Sequence, residues 1–147
     1  MSVHPVFFSV LSARSASNIN LSTTHMNIIN EALNAAIRCE NFSEKGGTAQ
    51  LFFATDFAGF DGHFEGSPVV PGVCLVQALV HLSRRKAGRD LRIKSLRLVK
   101  FFRPVLPETT VDFEFKLSEE NGVFSCRGSA ENDEGKIAKI SMELNDA

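Results

Sequence analysis

Tryptophan and tyrosine are absent from the 147 residues, and the aromatic content rests on 13 phenylalanines. Core filling is the plain reading of that balance, because phenylalanine suits strands and buries much area. The sharper one is that a few of them line a tunnel for an aliphatic chain. Cysteine is scarce: Cys39, Cys74 and Cys126 stand singly. The lack of a CxxC pair argues against a zinc site or redox couple, and the odd, sparse count fits a reducing compartment. Charge is nearly balanced at a formal −1, which argues against electrostatic capture of nucleic acid or an anionic membrane. No apolar run approaches the ~20 residues needed to span a bilayer. The short run Val6–Leu11 has no Lys or Arg before it and follows His4-Pro5, which is unlike a secretory signal. The expectation is a soluble cytoplasmic protein of one domain over 1–147, with neither nucleic-acid nor membrane binding.

Periodicity divides the chain into a mixed first half and a β second half. Residues 6–11 read as a short strand and Ser12–Thr24 as a polar loop. Met26, Ile29, Leu33 and Ile37 fall at three- and four-residue steps, predicting a helix that Thr24 caps. Ala36–Phe42 either finishes that helix or begins a strand. Glu44-Lys45-Gly46-Gly47 predicts a turn and Thr48–Thr55 a strand, together a hairpin. Pro71–Lys86 predicts a helix with proline first, apolar around most of its circumference and so wrapped, and closed by Arg84-Arg85-Lys86 at its negative pole. Val111, Phe113, Phe115 and Leu117 alternate with Asp112, Glu114 and Lys116, a strand with one wet face. Strands are also predicted at Leu91–Phe102, Gly122–Glu131 and Lys136–Leu144. Short turns between them imply an antiparallel sheet, and the whole is α+β, a sheet curled around one long helix.

The chemistry concentrates in residues 60–77, Phe-Asp-Gly-His-Phe-Glu-Gly-Ser-Pro-Val-Val-Pro-Gly-Val-Cys-Leu-Val-Gln. A loop histidine, His63, precedes a helix start that offers free backbone N–H groups. Imidazole titrates near ~6.5 and can move a proton at neutral pH, while N–H groups at a helix start stabilise a developing oxyanion.

Gly62-His63-Phe64-Glu65-Gly66-Ser67-Pro68, followed by Val69-Val70-Pro71-Gly72-Val73, resembles the signature of the bacterial β-hydroxyacyl-(acyl carrier protein) dehydratases of the hotdog superfamily. Lys100-Phe101-Phe102-Arg103-Pro104-Val105-Leu106-Pro107 resembles that family's Arg-x-Pro-Val-x-Pro-Gly strand end. The resemblance covers roughly residues 36–144, and residues 1–30 do not match the family's usual start. It implies a hotdog fold and a homodimer or higher oligomer with sheets joined edge to edge. Each active site then takes its histidine from one subunit and its acid from the other. It further implies removal of water from a 3-hydroxyacyl thioester carried on the phosphopantetheine of acyl carrier protein or CoA, without metal or bound cofactor.

Carried over residue by residue, His63 matches the catalytic base and Gly72 the backbone N–H that contacts the thioester oxygen. Gln77 stands where the family has Glu or Asp, and a primary amide does not exchange protons usefully near neutral pH. Phe64, Gly66, Pro71, Val73 and His81 complete the candidate substrate-binding set. His81, where the family often has glutamine, shares a helix face with Gln77. It either takes over the acid's role or is a core or interface histidine bonded to Gln77. Glu65 replaces a usual proline and reads as solvated, or as a neighbour raising the pKa of His63. Cys74 reads as a small buried hydrophobe, and Arg84-Arg85-Lys86 as a solvated helix end or a contact for an acidic carrier protein. A dehydratase-like activity is the first expectation. The alternatives are a subunit lacking its own acid, paired with a homologue that supplies one, and a hotdog thioesterase.

Overall fold

The computed structural model describes residues 23–60 and 68–147, with Thr23 to Met26 as backbone only. Two helices, α1 (Thr23–Ala36) and α2 (Gly72–Ala87), accompany six strands: β1 (Ile37–Phe42), β2 (Gly46–Phe53), β3 (Leu91–Phe101), β4 (Thr109–Glu120), β5 (Val123–Asn132) and β6 (Gly135–Asp146). All neighbouring strands are antiparallel, in the order β1-β2-β4-β5-β6-β3. The sheet curls around α2, which buries nine residues in succession or nearly so, Cys74 to Val80 with Leu82 and Ser83. This is the hotdog arrangement expected from the sequence.

The period-two pattern of β4 carries through: Val111, Phe113, Phe115 and Leu117 turn inward and the charged residues between them outward. Leu79 and Leu82 of α2 are fully buried, and each such side chain contributes about 2–3 kcal/mol by leaving water. Close approach of helix to sheet depends on Gly128 of β5, where an added Cβ would lie 2.8 Å from Leu79 Cδ1. A turn further along α2, buried Ser83 donates to the carbonyl of Leu79 at 2.8 Å, satisfying its hydroxyl, and reaches Cys126 Sγ at 3.5 Å. Gly88 ends the helix in the left-handed region, φ 67°, and its N–H donates to the Arg84 carbonyl at 2.8 Å.

Phenylalanine fills the core as its abundance suggested. Phe53, Phe57, Phe60, Phe101, Phe113, Phe115 and Phe124 are all buried. Phe53, Phe57 and Phe60 meet edge to face in succession at 5.0 and 5.7 Å.

Several boundaries differ from the sequence expectation. The helical backbone already runs through Thr23, so Thr24 lies inside α1 rather than at its cap. Ala36 ends α1 and Ile37 starts β1 with no intervening loop. The first hairpin turns at Ser43–Lys45, and Gly46 and Gly47, expected in the turn, open β2. The cause is tertiary: a Cβ on Gly46 would sit 2.0 Å from the Phe115 carbonyl oxygen of β4, so glycine is demanded by strand packing. Pro71 is the residue before α2, with φ −59° and ψ 143°, and Gly72 is the first helical one. The expected strand at 6–11 lies outside the described residues, as does most of the expected loop Ser12–Thr24. No helix among the described residues is long and apolar enough to cross a membrane.

Candidate active site at the start of the central helix

The segment leading into α2 is pinned on both sides of residues 61–67. On the approach, Ala58–Phe60 forms a single 3-10 turn, and an added Cβ on Gly59 would sit 2.9 Å from Cys74 Sγ in the first turn of α2. On the return, the N–H of Val70 donates to the carbonyl of Val105 at 2.8 Å. Val105 belongs to the Arg103-Pro104-Val105 stretch that follows β3. Both family-like stretches of sequence therefore meet at one point. His63, Phe64 and Gly66, with Glu65, lie outside the described residues.

Gly72 sits beneath a ring. A Cβ built there would stand 2.6 Å from Phe101 Cζ and 2.7 Å from Cε2. The glycine thus has a packing reason: its missing Cβ makes room for the Phe101 ring. Helix geometry leaves the N–H groups of the first turn without intrahelical acceptors, apart from Cys74 N, which bonds the Pro71 carbonyl at 2.9 Å. Pro71 is half-buried, while Val73 is 40% exposed, an unusual position for valine on a helix otherwise sunk in the sheet. The Cys74 thiol is buried and pushed up to about 12 by that burial, so it is a packing residue and not a nucleophile.

One and two turns on, the two polar positions look toward α1. Gln77, buried with 7% exposure, donates from Nε2 to Asn30 Oδ1 at 3.1 Å. His81, half-buried, places Nε2 3.1 Å from Asn34 Oδ1. Gln77 and His81 are not bonded to each other, contrary to one sequence expectation; each has its own asparagine on α1. Burial, reinforced by the cations Arg85 and Arg84, holds the His81 pKa below its ordinary 6.5. A ring kept neutral is poorly suited to be the acid that Gln77 is not.

The basic end of α2 is largely spent on structure. Arg84 Nε donates to the Leu91 carbonyl at 2.7 Å, and Arg85 grips Glu40 with Nε and Nη2. Sequence reasoning did not single out Asn30, Asn34, Glu40 or Phe101. The signal available for the asparagines was their four-residue spacing, the same as that of Gln77 and His81. The surface depression lined by Thr48, Gln50, Asp112 and Glu114 also takes in Glu40, but not Gly72, Gln77 or His81.

A six-stranded antiparallel sheet wrapped on a buried central helix defines a hotdog protein. The chain belongs to the ApeI-like family, described as ApeI dehydratase, whose model matches residues 39–139. Among curated relatives, the 3-hydroxyacyl-(acyl-carrier-protein) dehydratase FabZ of Mannheimia succiniciproducens is 34% identical over 88 residues, 54% of this chain and 58% of that protein. The FabZ of Haemophilus influenzae is 32% identical over 80 residues, 48% and 54% of the two chains. The FabZ of Ehrlichia canis is 28% identical over 86 residues, 50% and 58%. The matched stretch thus spans somewhat over half the length of these relatives. Among solved structures, the dehydratase heterocomplex ApeI:P from Xenorhabdus doucetiae superposes with a TM-score of 0.65 at 20% identity, over 74% of this chain and 96% of that one. The PaaI protein of E. coli gives 0.59 at 12% identity, over 83% and 92%. At such identities these two likenesses speak to the fold alone.

Proposed function

We propose that this chain serves in the dehydration of 3-hydroxyacyl thioesters carried on a phosphopantetheine arm, of acyl carrier protein or CoA, to the enoyl thioesters. The observation that carries the reading is the convergence at the start of α2. The chain entering and leaving the His63 segment packs there, on Gly59 and Val70, beside the first N–H groups of a buried helix. In this reading His63 takes the proton from the α-carbon, and the thioester oxygen, gaining charge, is met by the Gly72 N–H at the positive end of the helix. The C–H and C–O bonds break, the carbon–carbon double bond forms, and the hydroxyl leaves as water. The imidazolium formed in the first step holds the proton that the hydroxyl requires. Gln77 orients the hydroxyl or a water by hydrogen bonding and is assigned no proton. The reading assigns substrate binding to Phe64, Gly66, Pro71, Val73 and His81.

Gln77 supports a second reading, in which the chain is one subunit of a mixed dehydratase and a homologous partner supplies a carboxylate. The partner of the Gln77 amide here is another amide, and a structural neighbour is itself described as a heterocomplex. One experiment separates the readings. The purified chain, alone and co-expressed with an acid-bearing dehydratase homologue, is given 3-hydroxyacyl- and plain acyl-carrier thioesters, and enoyl product and free thiol are followed. Enoyl product from the chain alone, abolished in His63→Ala, supports the first reading. Product only on co-expression supports the second. Free thiol without enoyl product marks a thioesterase and overturns both.

A further inference from the structure

Away from the helix start, polar side chains gather where α1 and β1 meet α2. Three pairs follow one another at one-turn intervals along α2: Gln77 with Asn30 at 3.1 Å, His81 with Asn34 at 3.1 Å, and Arg85 with Glu40 at 2.8 Å. Asn34 serves two of them, because Arg85 Nη1 also donates to its Oδ1 at 3.1 Å.

That shared contact decides which ring nitrogen of His81 holds hydrogen. A guanidinium has donors and no acceptor, so the Asn34 atom facing Nη1 is its oxygen; turning the amide over would oppose two donors. Arg85 is not free to turn away, since its Nε and Nη2 are held by the two carboxylate oxygens of Glu40. The oxygen that Arg85 fixes is the one that faces His81 Nε2, so Nε2 carries the hydrogen. A neutral imidazole has one N–H, and Nδ1 is left with its lone pair. Among the described residues the charged groups around the ring are Arg85, Arg84 and Glu40, and with burial their balance favours the neutral form.

We propose that Asn34 is a positioning residue: gripped by the Glu40–Arg85 clamp, it locks His81 as the Nε2–H tautomer and leaves Nδ1 as an acceptor, one turn from Gln77. This lock holds whatever the reaction. Its consequence deepens the dehydratase reading and rests on it: the second polar position offers a hydrogen-bond acceptor to the substrate hydroxyl or to a water, and no acid.

The test uses the 15N-labelled full chain at about pH 8, where histidine is neutral, and reads long-range proton–nitrogen correlations of the His81 ring. The expected spectrum shows a single tautomer, protonated at Nε2. In Asn34→Leu the two nitrogen shifts move toward an average, and Asn34→Asp, which keeps the acceptor, restores them. Arg85→Gln, which loosens the clamp without touching His81, averages them partly and serves if Asn34→Leu does not fold. A wild-type ring that is averaged or protonated at Nδ1 overturns the proposal, as do unchanged shifts in a folded Asn34→Leu or a fully locked ring in Arg85→Gln. On 3-hydroxyacyl thioester, Asn34→Leu lowers kcat about fivefold, the scale of one neutral hydrogen bond, with KM little changed and Asn34→Asp restoring the rate. An averaged ring with kcat intact overturns the positioning role. A locked ring in a chain that forms no enoyl product under any pairing overturns the dehydratase reading alone.

Discussion

The amide nitrogen of Gln77 lies 3.1 Å from the amide oxygen of Asn30, and among the described residues no charged group fixes which of the two amides donates. The pair can turn over together, with Asn30 giving its NH2 to an oxygen at position 77. Gln77→Glu therefore finds a donor waiting. Burial raises the pKa of the new carboxyl, which suits a general acid. The expected result is a rise in enoyl product of roughly tenfold or more, within the range such groups contribute, measured on 3-hydroxyacyl thioester. No rise at all would show that position 77 does not face the reaction. Gln77→Leu strands Asn30 and costs about 1–3 kcal/mol in urea unfolding; the double variant with Asn30→Leu recovers part of it.

Phe101 closes over Gly72, and the second prediction concerns that contact. Gly72→Ala places a methyl 2.6 Å from the ring, which is itself buried and not free to swing out. A loss of about 1–3 kcal/mol is expected from overpacking. Phe101→Leu makes room, so the double-mutant cycle should show favourable coupling between the two changes. Additive losses in chemical denaturation would mean the ring relaxes at no cost.

Helix and sheet also touch closely halfway along α2. Gly128→Val drives its side chain into Leu79, whose methyl carbons stand 2.8 and 2.9 Å from the position of an added Cβ. Because both the sheet and the helix backbone must yield, the loss should reach about 3 kcal/mol. The denaturation midpoint measures it, and a midpoint within error of wild type would refute the close packing.

Two pH windows should appear in thermal stability. The folded-state pKa of His81 is lowered from 6.5, so the unfolded chain binds the proton more readily. Stability from this group is complete above pH 6.5 and falls as pH drops from there toward the folded value. The folded pKa of Glu40 is lowered from 4.5 by its hydrogen bond with Arg85, so its contribution is present above 4.5 and is lost at still lower pH. His81→Gln should flatten the upper window and leave the lower one, and Glu40→Gln should do the reverse. Melting curves stepped through this range check both.

Periodicity made α2 and β4 legible because each buries one kind of side chain at a regular interval, and the fold follows from a helix apolar nearly all round beside strands that alternate. Gly46 and Gly47 escaped that reading: adjacent glycines suggest a turn, whereas here Gly46 is required by the Phe115 carbonyl of β4, far away in sequence, and Gly47 by the Phe42 ring and Asn41 carbonyl of β1. The helix start at Gly72 was visible in its proline and glycine, but Phe101 above it was not, since nothing in a single strand tells which ring reaches over a neighbouring helix. Asn30 and Asn34 were passed over for a related reason. Asparagine on a helix suggests a solvated face, and only the matching spacing on α2 reveals that the two faces meet. For the same reason the Gln77–His81 bond expected from a shared face does not form: a better partner for each comes from another element.

The rungs between α1 and α2 also act as a vernier. Asn30 and Asn34 are one turn apart and chemically identical, and so a slide of α1 by one turn would still offer an amide oxygen to the next position along α2. Two such rungs tell the correct alignment from its neighbour only by the loss of one amide pair. Glu40 breaks the degeneracy, because it lies on β1 and meets a guanidinium that no amide rung can replace. The ion pair at the far end of the helix thereby sets which asparagine reads which residue near the candidate site, and its loss would be felt there as a choice between two alignments.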